Sequence, residues 1–284
     1  NFLPIQEHED DHARVVMVHE PGIGNLWGNL HPVGRLFEKP FNLERAKQQH
    51  RNFVRILREK GIKVIRVKDV LMADCVSGKE CTFDMRSRLK LEAFASTRLH
   101  YTLRDNVSLD DLTDFEKYYL SDQYKMECIV KMDTRQLVDI ILTNPSITLD
   151  RSQQDTILIA IGQNMKPIGN LIFTRDQQIT TRSGLILGRL CARQRDGEVA
   201  VMKFVFDKLG IPIAGEIQDP GTLEGGDYIP AGDVSFIGVG LRTNHEAVRQ
   251  MLDQNLFGSK YVAEVRDTFD RRVPLVNDQE REEL

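Results

Sequence analysis

Hydrophobic positions along this chain alternate between a helical period and short β-branched runs, and this order repeats. In the first stretch, a strand predicted over 14–19 leads to a helix that begins near Asn42 and ends before Gly61. The apolar face of that helix comprises Leu43, Ala46, Phe53 and Leu57. A second strand, predicted over 62–65, follows the glycine directly, as is common where a helix ends in a left-handed residue.

The second stretch has the same order. An extended segment over 170–174 and another extended run near Leu185 precede a helix predicted over 198–209. Gly210 then ends the helix, and 211–213 is predicted to be a strand.

A third stretch completes an internal repeat. Its first strand is predicted over 235–239, its helix over 244–255 and its last strand over 260–265, after Gly258. Because a strand, helix and strand cannot bury both faces alone, such units stack around a shared core. The pattern therefore predicts an α/β fold, either a ring of repeated units or a layered domain.

A helix-rich region, 74–144, separates the first two stretches. Its helices are indicated by a stripe of Leu89, Ala93 and Phe94, a capping pair of Ser108 and Asp111, and a cap at Thr134 before 137–142 with a stop at Asn144 and Pro145. Its many charges are typical of solvated helix faces. An interaction surface for a second subunit, and so a homo-oligomer, is left open as the alternative.

Charge and composition narrow the class of protein. The 38 basic and 42 acidic residues give a net charge of -4, which offers no electrostatic reason to expect a nucleic acid or an anionic membrane as partner. The longest apolar runs, such as 137–142 and 234–241, are too short to span a bilayer, and 1–11 lacks a signal-peptide core. We therefore expect a cytoplasmic protein.

The cysteines are scattered along the chain, which favours reduced thiols over a disulfide framework or a zinc site. They are Cys75, Cys81, Cys128 and Cys191.

Two acidic clusters, 170–176 and 221–227, lie where a predicted strand meets a turn, at equivalent places in successive repeats. If the repeats share an axis, Asp176 and Glu224 face one cavity. Two carboxylates suit a planar guanidinium, which presents its donors in a fixed fork. Spacing alone favours the plainer alternative, in which Asp176 pairs locally with Arg175 and the glycine-rich segment after Glu224 is a polar turn.

Other candidates are weaker. Arg193 and Arg242 suit a substrate carboxylate, although arginines at such places are more often surface residues. The segment 22–28 has one residue too many for a dinucleotide fingerprint and is predicted to be a loop. His8 and His12 have the spacing of metal ligands, but a solvated polar segment is the better interpretation, so no metal site is expected.

Together these motifs resemble those of arginine deiminases, within the guanidine-modifying superfamily. The resemblance rests on Asn170 with 173–176, on 192–193, on 224–227 and on 238–243, with 19–22 and 36–38 resembling the family's opening strand and loop. The helical insertion is typical of arginine deiminases rather than of amidinotransferases or agmatine deiminases. The resemblance covers roughly residues 12 to 270.

The resemblance implies a role for each matching residue. Asp176 and Glu224 are expected to hold the guanidinium of L-arginine, and Asp227 to support them. The α-carboxylate is expected to bind Arg193 and Arg242 with Asn170, while Phe173 lines the pocket. In the family's chemistry a cysteine thiolate attacks the guanidinium carbon, a histidine of a His-x-Asp motif helps ammonia leave, and water releases citrulline. No cofactor or metal is required.

The resemblance also implies a pentein-type α/β propeller of ββαβ repeats, of which about three of five are evident, with an inserted helical-bundle subdomain. The expected divisions are a first unit over 1–73, the insertion over 74–148, further units over 149–217 and 218–272, and a charged tail over 273–284.

The sequence departs from the family pattern in its chemistry. No cysteine follows Cys191 and no histidine follows His245, whereas the family places its nucleophile and histidine well downstream. We expect either an incomplete enzyme, a non-catalytic relative that binds arginine or a partner, or a chain joined across an unobserved stretch. A substitute nucleophile at Cys191 is disfavoured because no histidine is evidently near it. An amidinotransferase-like activity is a third, less favoured function.

Overall fold

The computed structural model describes residues 4–75, 83–105, 107–152, 157–195 and 197–266, except the side chain of Arg193. The predicted charged tail, 273–284, lies outside these residues. The chain divides into two compact units. Unit 1 contains Asn1–His19, Val54–Ile65 and Leu171–Leu284, and unit 2 contains Glu20–Phe53 and Arg66–Asn170.

Helices and short strands alternate along the described chain, which makes this a mixed α/β fold. The strands are β1 (Val15–Val18), β2 (Lys63–Arg66), β3 (His100–Leu103), β4 (Pro145–Arg151), β5 (Leu158–Met165), β6 (Gln178–Thr181), β7 (Gly184–Leu187), β8 (Ile213–Glu216), β9 (Tyr228–Ala231), β10 (Val234–Gly238) and β11 (Tyr261–Val265). The α-helices are α1 (Ile23–Gly28), α2 (Leu43–Glu59), α3 (Val67–Met72), α4 (Met85–Arg98), α5 (Asp114–Tyr118), α6 (Asp122–Ile129), α7 (Thr134–Thr143), α8 (Glu198–Leu209) and α9 (His245–Asp253).

Two sheets of unit 1 have one plan. In each, an antiparallel hairpin with a two-residue turn is followed by a helix and then by a strand parallel to the middle one. The first is β6, β7, α8 and β8, and the second is β9, β10, α9 and β11. Buried side chains of these elements and of the segment between β8 and β9 form one hydrophobic core that includes Ile186, Leu223, Tyr228, Ile237 and Met251.

Unit 2 is built mainly of helices. Its fully buried side chains include Leu71, Leu91, Ile129, Leu137 and Ile141, which come from α3, α4, α6 and α7. A three-stranded sheet in the order β3, β4, β5 accompanies them. Within the described residues, no helix is both long and apolar enough to cross a membrane.

Most predicted elements of the repeats are present. The strands predicted at 14–19, near Leu185, at 235–239 and at 260–265 correspond to β1, β7, β10 and β11. The helix predicted over 198–209 matches α8 at both ends, and Gly210 ends it with a left-handed backbone, φ 65°. These predictions are confirmed.

The strand predicted over 170–174 is wrong, because this segment forms turns. The backbone N–H of Asp176 donates to the carbonyl of Phe173 at 3.1 Å, and that of Gln178 donates to Arg175 at 3.3 Å. The chain therefore turns around Phe173 and Arg175 instead of extending beside a neighbouring strand.

The loop predicted over 22–28 is also wrong. Helix α1 covers Ile23–Gly28, and the side chain of Asn25 accepts the Gly22 N–H at 2.9 Å, which supports the first turn.

Two details of the helical region also differ from the prediction. In α4, Leu89 and Ala93 are exposed, whereas Leu91 and Ala95 are buried. The N-cap of α7 is Asp133 rather than Thr134, because the Asp133 carboxylate accepts the Gln136 N–H at 2.9 Å. The hydroxyl of Thr134 instead donates to the Cys75 carbonyl at 2.6 Å. The capping pair of Ser108 and Asp111 and the helix end at Asn144 are confirmed.

Candidate active site

Asp176 lies in the turn that precedes β6. Its carboxylate oxygen Oδ2 is 2.9 Å from Nη2 of Arg195, and its side chain is 16% exposed. Burial raises the pKa of Asp176 above its usual value, the cation of Arg195 opposes that rise, and the charge of Glu224 adds to it. The local pair with Arg175 that the sequence allows is not what forms here, since Arg175 binds the carboxylate of Glu9 at 2.5 Å and 2.9 Å.

Glu224 is buried, with 5% exposure, immediately before a short 3-10 helix over Gly225–Asp227. Its oxygen Oε2 is 3.2 Å from Nη1 of Arg195. Its other oxygen, Oε1, accepts a hydrogen bond from Nη1 of Arg242. The two carboxylates chosen from the sequence therefore bind one guanidinium, and Glu224 binds a second.

Gly225 allows the turn of Asp176 to approach the turn of Glu224. A Cβ atom at Gly225 would lie 1.9 Å from the Arg175 carbonyl oxygen and 2.7 Å from that of Gln178. The Gly225 N–H donates to the Asp176 carbonyl at 3.0 Å, which joins the two turns directly. Only glycine fits this contact without moving the backbone.

Asp227 connects to Glu224 through Thr243, which is fully buried. The Thr243 hydroxyl donates to Oδ2 of Asp227 at 2.6 Å and accepts the Glu224 N–H at 3.1 Å. Burial raises the pKa of Asp227, while the bond from Thr243 lowers it and the charge of Glu224 raises it. The position of Glu224 thus depends on the loop between β10 and α9.

Sequence reasoning missed Arg195 and Glu198. Arg195 is 2% exposed and Glu198 is 1% exposed. The Arg195 Nε lies 3.2 Å and 3.1 Å from the two oxygens of Glu198, and its Nη2 lies 2.7 Å from Oε2. Gln177 adds a bond from its Nε2 to Glu198 at 2.7 Å. The sequence signal for this pair was the spacing of three residues between Arg195 and Glu198 at the start of a predicted helix, but many surface ion pairs have the same spacing.

These side chains form one carboxylate cluster, in which four acids face two guanidinium groups. The acids are Asp176, Glu198, Glu224 and Asp227, and the cations are Arg195 and Arg242. Burial also raises the pKa of Glu198, against the bonds from Arg195 and Gln177. The excess of negative charge at low exposure favours binding of a further cation.

The remaining predicted residues have separate surroundings. Asn170 is the last residue of unit 2, and its Oδ1 is buried without a hydrogen-bond partner among the described residues. Phe173 is 52% exposed. The backbone of Arg193 begins a 3-10 helix, and its side chain lies outside the described residues.

Other candidate groups lie outside the carboxylate cluster. Cys191 is an exposed free thiol, whereas Cys81 lies outside the described residues. Within the residues that the structure covers, no group of His, Cys, Asp and Glu side chains could hold a metal ion. His8 lies 3.6 Å from the carboxylate of Asp10. His245 begins α9, as predicted, with its Nδ1 3.1 Å from Glu264.

Several arginine deiminases are similar to this chain. Arginine deiminase 1 of Staphylococcus epidermidis is 26% identical over 271 residues, which are 89% of this chain and 59% of that protein. The arginine deiminase of Staphylococcus haemolyticus is 24% identical over 270 residues, again 89% of this chain and 59% of that protein. The chain therefore spans less than two thirds of the length of these relatives.

Solved structures with some likeness include a dimethylarginine dimethylaminohydrolase from Pseudomonas aeruginosa complexed with citrulline. It has a TM-score of 0.47 and 16% identity, over 90% of this chain and 62% of that one. An amidinotransferase from Microseira wollei has a TM-score of 0.43 and 12% identity, over 93% of this chain and 62% of that one. Both likenesses are too weak to define a function.

The sequence model of arginine deiminase matches residues 34–273, which include the whole carboxylate cluster. This match covers most of the chain, which therefore belongs to the arginine deiminase family.

Proposed function

We propose that this chain carries the guanidinium-binding part of an arginine deiminase-type site, whose reaction converts L-arginine and water to L-citrulline and ammonia. One observation carries the proposal. Glu224 contacts a guanidinium with each of its two oxygens: Oε2 forms an ion pair with Arg195 at 3.2 Å, and Oε1 accepts a hydrogen bond from the half-exposed Arg242. The side chain of Arg242 therefore acts as a chemical stand-in for the guanidinium of a substrate.

The carboxylate cluster supports binding of L-arginine. A guanidinium offers paired donors in a planar fork, so Asp176 and Glu224 can each accept from it. A ligand at Glu224 must displace Arg242, whose 53% exposed side chain has room to move. Once displaced, Arg242 is free to bind the α-carboxylate, the role that the family resemblance assigns to it. The roles of Asn170, Phe173 and Arg193 stay predictions from that resemblance.

The proposed chemistry needs groups beyond those that this chain supplies. A thiolate forms a bond to the guanidinium carbon, the C–N bond to ammonia breaks as that nitrogen takes up a proton, and water then replaces the thiolate to give citrulline. No cysteine follows Cys191 and no histidine follows His245. We therefore assign substrate binding to this chain and leave the nucleophile unassigned.

A second candidate function is binding of L-arginine without turnover. It needs only the binding carboxylates, which the described residues contain. The two functions share one site and differ in whether citrulline forms.

For the architecture, we propose that the two ββαβ sheets of unit 1 belong to a pentein-type propeller with a helical insertion over 74–148. The matching plan of the two sheets supports this, because each pairs an antiparallel hairpin with one parallel strand. The other domain boundaries, the cytoplasmic location and a homo-oligomer stay predictions.

Isothermal titration calorimetry with L-arginine tests the proposal, with neutral L-citrulline as the matched ligand. The wild-type chain should bind arginine more tightly than citrulline, and Asp176→Asn and Glu224→Gln should each weaken arginine binding by about 10- to 100-fold through lost charge-assisted bonds. Asp219→Asn is the control, because Asp219 is exposed and pairs with Arg189 outside the cluster. Equal binding in all four proteins would reject the site.

A citrulline assay on a preparation of verified intact mass separates the two candidate functions. Citrulline formation by the 284-residue chain would mean that it contains its own nucleophile, and Cys191→Ser would then be the first variant to measure. Binding without citrulline would favour the non-catalytic function.

A further inference from the structure

Arg195 makes an unusual number of charged contacts for a buried side chain. Its guanidinium binds Glu198 through Nε and Nη2, Asp176 through Nη2 and Glu224 through Nη1. These contacts use all three of its nitrogens. An arginine can do this because its donors diverge in one plane, whereas a lysine ammonium is a point charge.

Asp176 and Glu224, the two proposed binding residues, each use only one carboxylate oxygen to contact Arg195. Asp176 faces Arg195 with Oδ2, and Glu224 faces it with Oε2. The other oxygen of Glu224 is the one that Arg242 binds. Arg195 thus fixes one oxygen of each carboxylate and leaves the other for a second guanidinium.

Glu198 holds Arg195 in this orientation. It is the first residue of α8, where the helix dipole favours a negative charge, and Gln177 donates to it as well. The preceding residue, Gly197, has φ 94°, a conformation that favours glycine and lets the chain turn so that Arg195 and Glu198 meet.

We infer that Arg195, anchored by Glu198, is a positioning residue of the guanidinium site: it draws Asp176 and Glu224 together and sets which of their oxygens face the ligand. The inference rests on the proposed function. Arg195 does not touch the substrate in this scheme, and its effect passes entirely through the two carboxylates.

Burial is the largest influence on the pKa of Asp176 and raises it, and the charge of Arg195 is the next largest and lowers it. The other charged groups that act on Asp176 are Arg175, Glu198, Glu224 and Arg242. Since a ligand cation needs the carboxylate ionised, loss of Arg195 should move arginine binding to higher pH. Loss of Glu198 should act in the opposite direction, because it removes a neighbouring negative charge.

The test is a ¹³C-carboxyl NMR titration of Asp176 in the full chain without ligand, assigned by comparison with Asp176→Asn. In Arg195→Gln the midpoint should rise by about one pH unit or more, and in Glu198→Gln it should fall. Arg189→Gln, which removes an exposed arginine paired with Asp219, should leave the midpoint unchanged. If Arg195→Gln does not fold, Arg195→Lys, which keeps the positive charge, decides the question through its affinity for L-arginine. A purely structural role predicts lower stability with no shift in either variant, and that result would overturn the inference.

Arg195→Lys tests the positioning itself with L-arginine as the probe. The lysine keeps the positive charge, so the Asp176 midpoint should stay near that of the wild type, but arginine affinity should fall about tenfold because the fork is lost. Wild-type affinity in Arg195→Lys would contradict a positioning role. A wild-type chain that binds no arginine would instead reject the proposed function, while the ligand-free midpoints would still report on Arg195.

Discussion

Acidic side chains behave in opposite ways in the carboxylate cluster of unit 1 and in the helices of unit 2. In unit 2, the Thr113 N–H and the guanidinium of Arg151 bind Glu116 and lower its pKa to about 2. A bond from Lys125 lowers the pKa of Asp122 in the same way. In unit 1, burial raises the pKa of Asp176, Glu198 and Asp227.

The difference indicates what each set of acids does. An acid with a lowered pKa is held in its charged form by its partners, so its charge stabilises the fold near neutral pH. An acid with a raised pKa is charged there at a cost to stability, which a ligand cation can offset. Under the proposed function, the carboxylate cluster is a part of the described chain in which stability is given up for binding.

The largest effect expected from this comparison follows the loss of Arg195. Arg195→Met should lower the free energy of unfolding by about 3–5 kcal/mol, because three buried acids lose their shared cation. The matched change in unit 2 is Arg104→Met, which removes an exposed partner of Asp150 and should cost about 0–1 kcal/mol. Urea denaturation followed by circular dichroism measures both, and equal losses would break the contrast between the units.

A smaller loss is expected from Gly225→Ala. The added Cβ would clash with backbone oxygens 1.9 Å and 2.7 Å away, so unfolding should become easier by about 1–3 kcal/mol. Gly162→Ala in β5 is the control, since its Cβ would meet only Thr148 at 3.6 Å or more. Arginine binding should also weaken in Gly225→Ala, and unchanged binding would show that the two turns are not tied as closely as their contacts suggest.

Helix capping in unit 2 should have a moderate effect. Asp133→Ala removes the carboxylate that accepts the Gln136 N–H at 2.9 Å, and should cost about 1 kcal/mol. Asp133→Asn keeps the acceptor and should retain most of the stability. Arginine binding should stay unchanged in both variants, because this acid contributes to the fold alone, and isothermal titration can check that outcome.

The smallest expected effect is a difference in how Glu116 and Asp176 make stability depend on pH. The folded-state pKa of Glu116, about 2, lies below its ordinary 4.5, so its contribution to stability should be lost as the pH falls from about 4.5 towards 2. Asp176 has the opposite sign: its pKa is raised above 3.8, so its contribution should decline as the pH rises above that value. The measurement is the free energy of unfolding as a function of pH in the wild type, Glu116→Gln and Asp176→Asn. Each substitution should remove one pH-dependent contribution, and the two contributions should have slopes of opposite sign. Slopes of the same sign would contradict the assignment.

The helices of unit 1 were predictable from the sequence for a local reason. Helix α8 carries a long apolar period and ends at a glycine, so its bounds depend little on distant contacts. In α4, by contrast, apolar residues occupy more than one face, and packing against α7 selects Leu91 and Ala95 over Leu89 and Ala93. Sequence period alone cannot make that choice. Strands β3 and β4 were missed because β3 lies within the helix-rich region and β4 directly follows its last helix.

The candidate site was partly predictable as well. Asp176 and Glu224 stood out because each follows a repeated pattern at the same place, and the structure brings both to one guanidinium. Arg195 did not stand out, since Arg189, Arg193 and Arg195 are close together in the sequence, and the burial of Arg195 depends on tertiary packing. A single sequence does not show which of several nearby arginines will be buried.

The shared plan of the two ββαβ sheets also has a kinetic consequence. Each hairpin closes over a two-residue turn, and such hairpins form in about 1–10 μs. The third strand of each sheet must wait for a helix to form and cross over, because parallel neighbours are not adjacent in the chain. We therefore expect β8 and β11 to join their sheets last on refolding. Arg195 and Glu198, which contact the carboxylates of the cluster, lie in the crossover between β7 and β8, so we expect the cluster to be complete only after this crossover has formed.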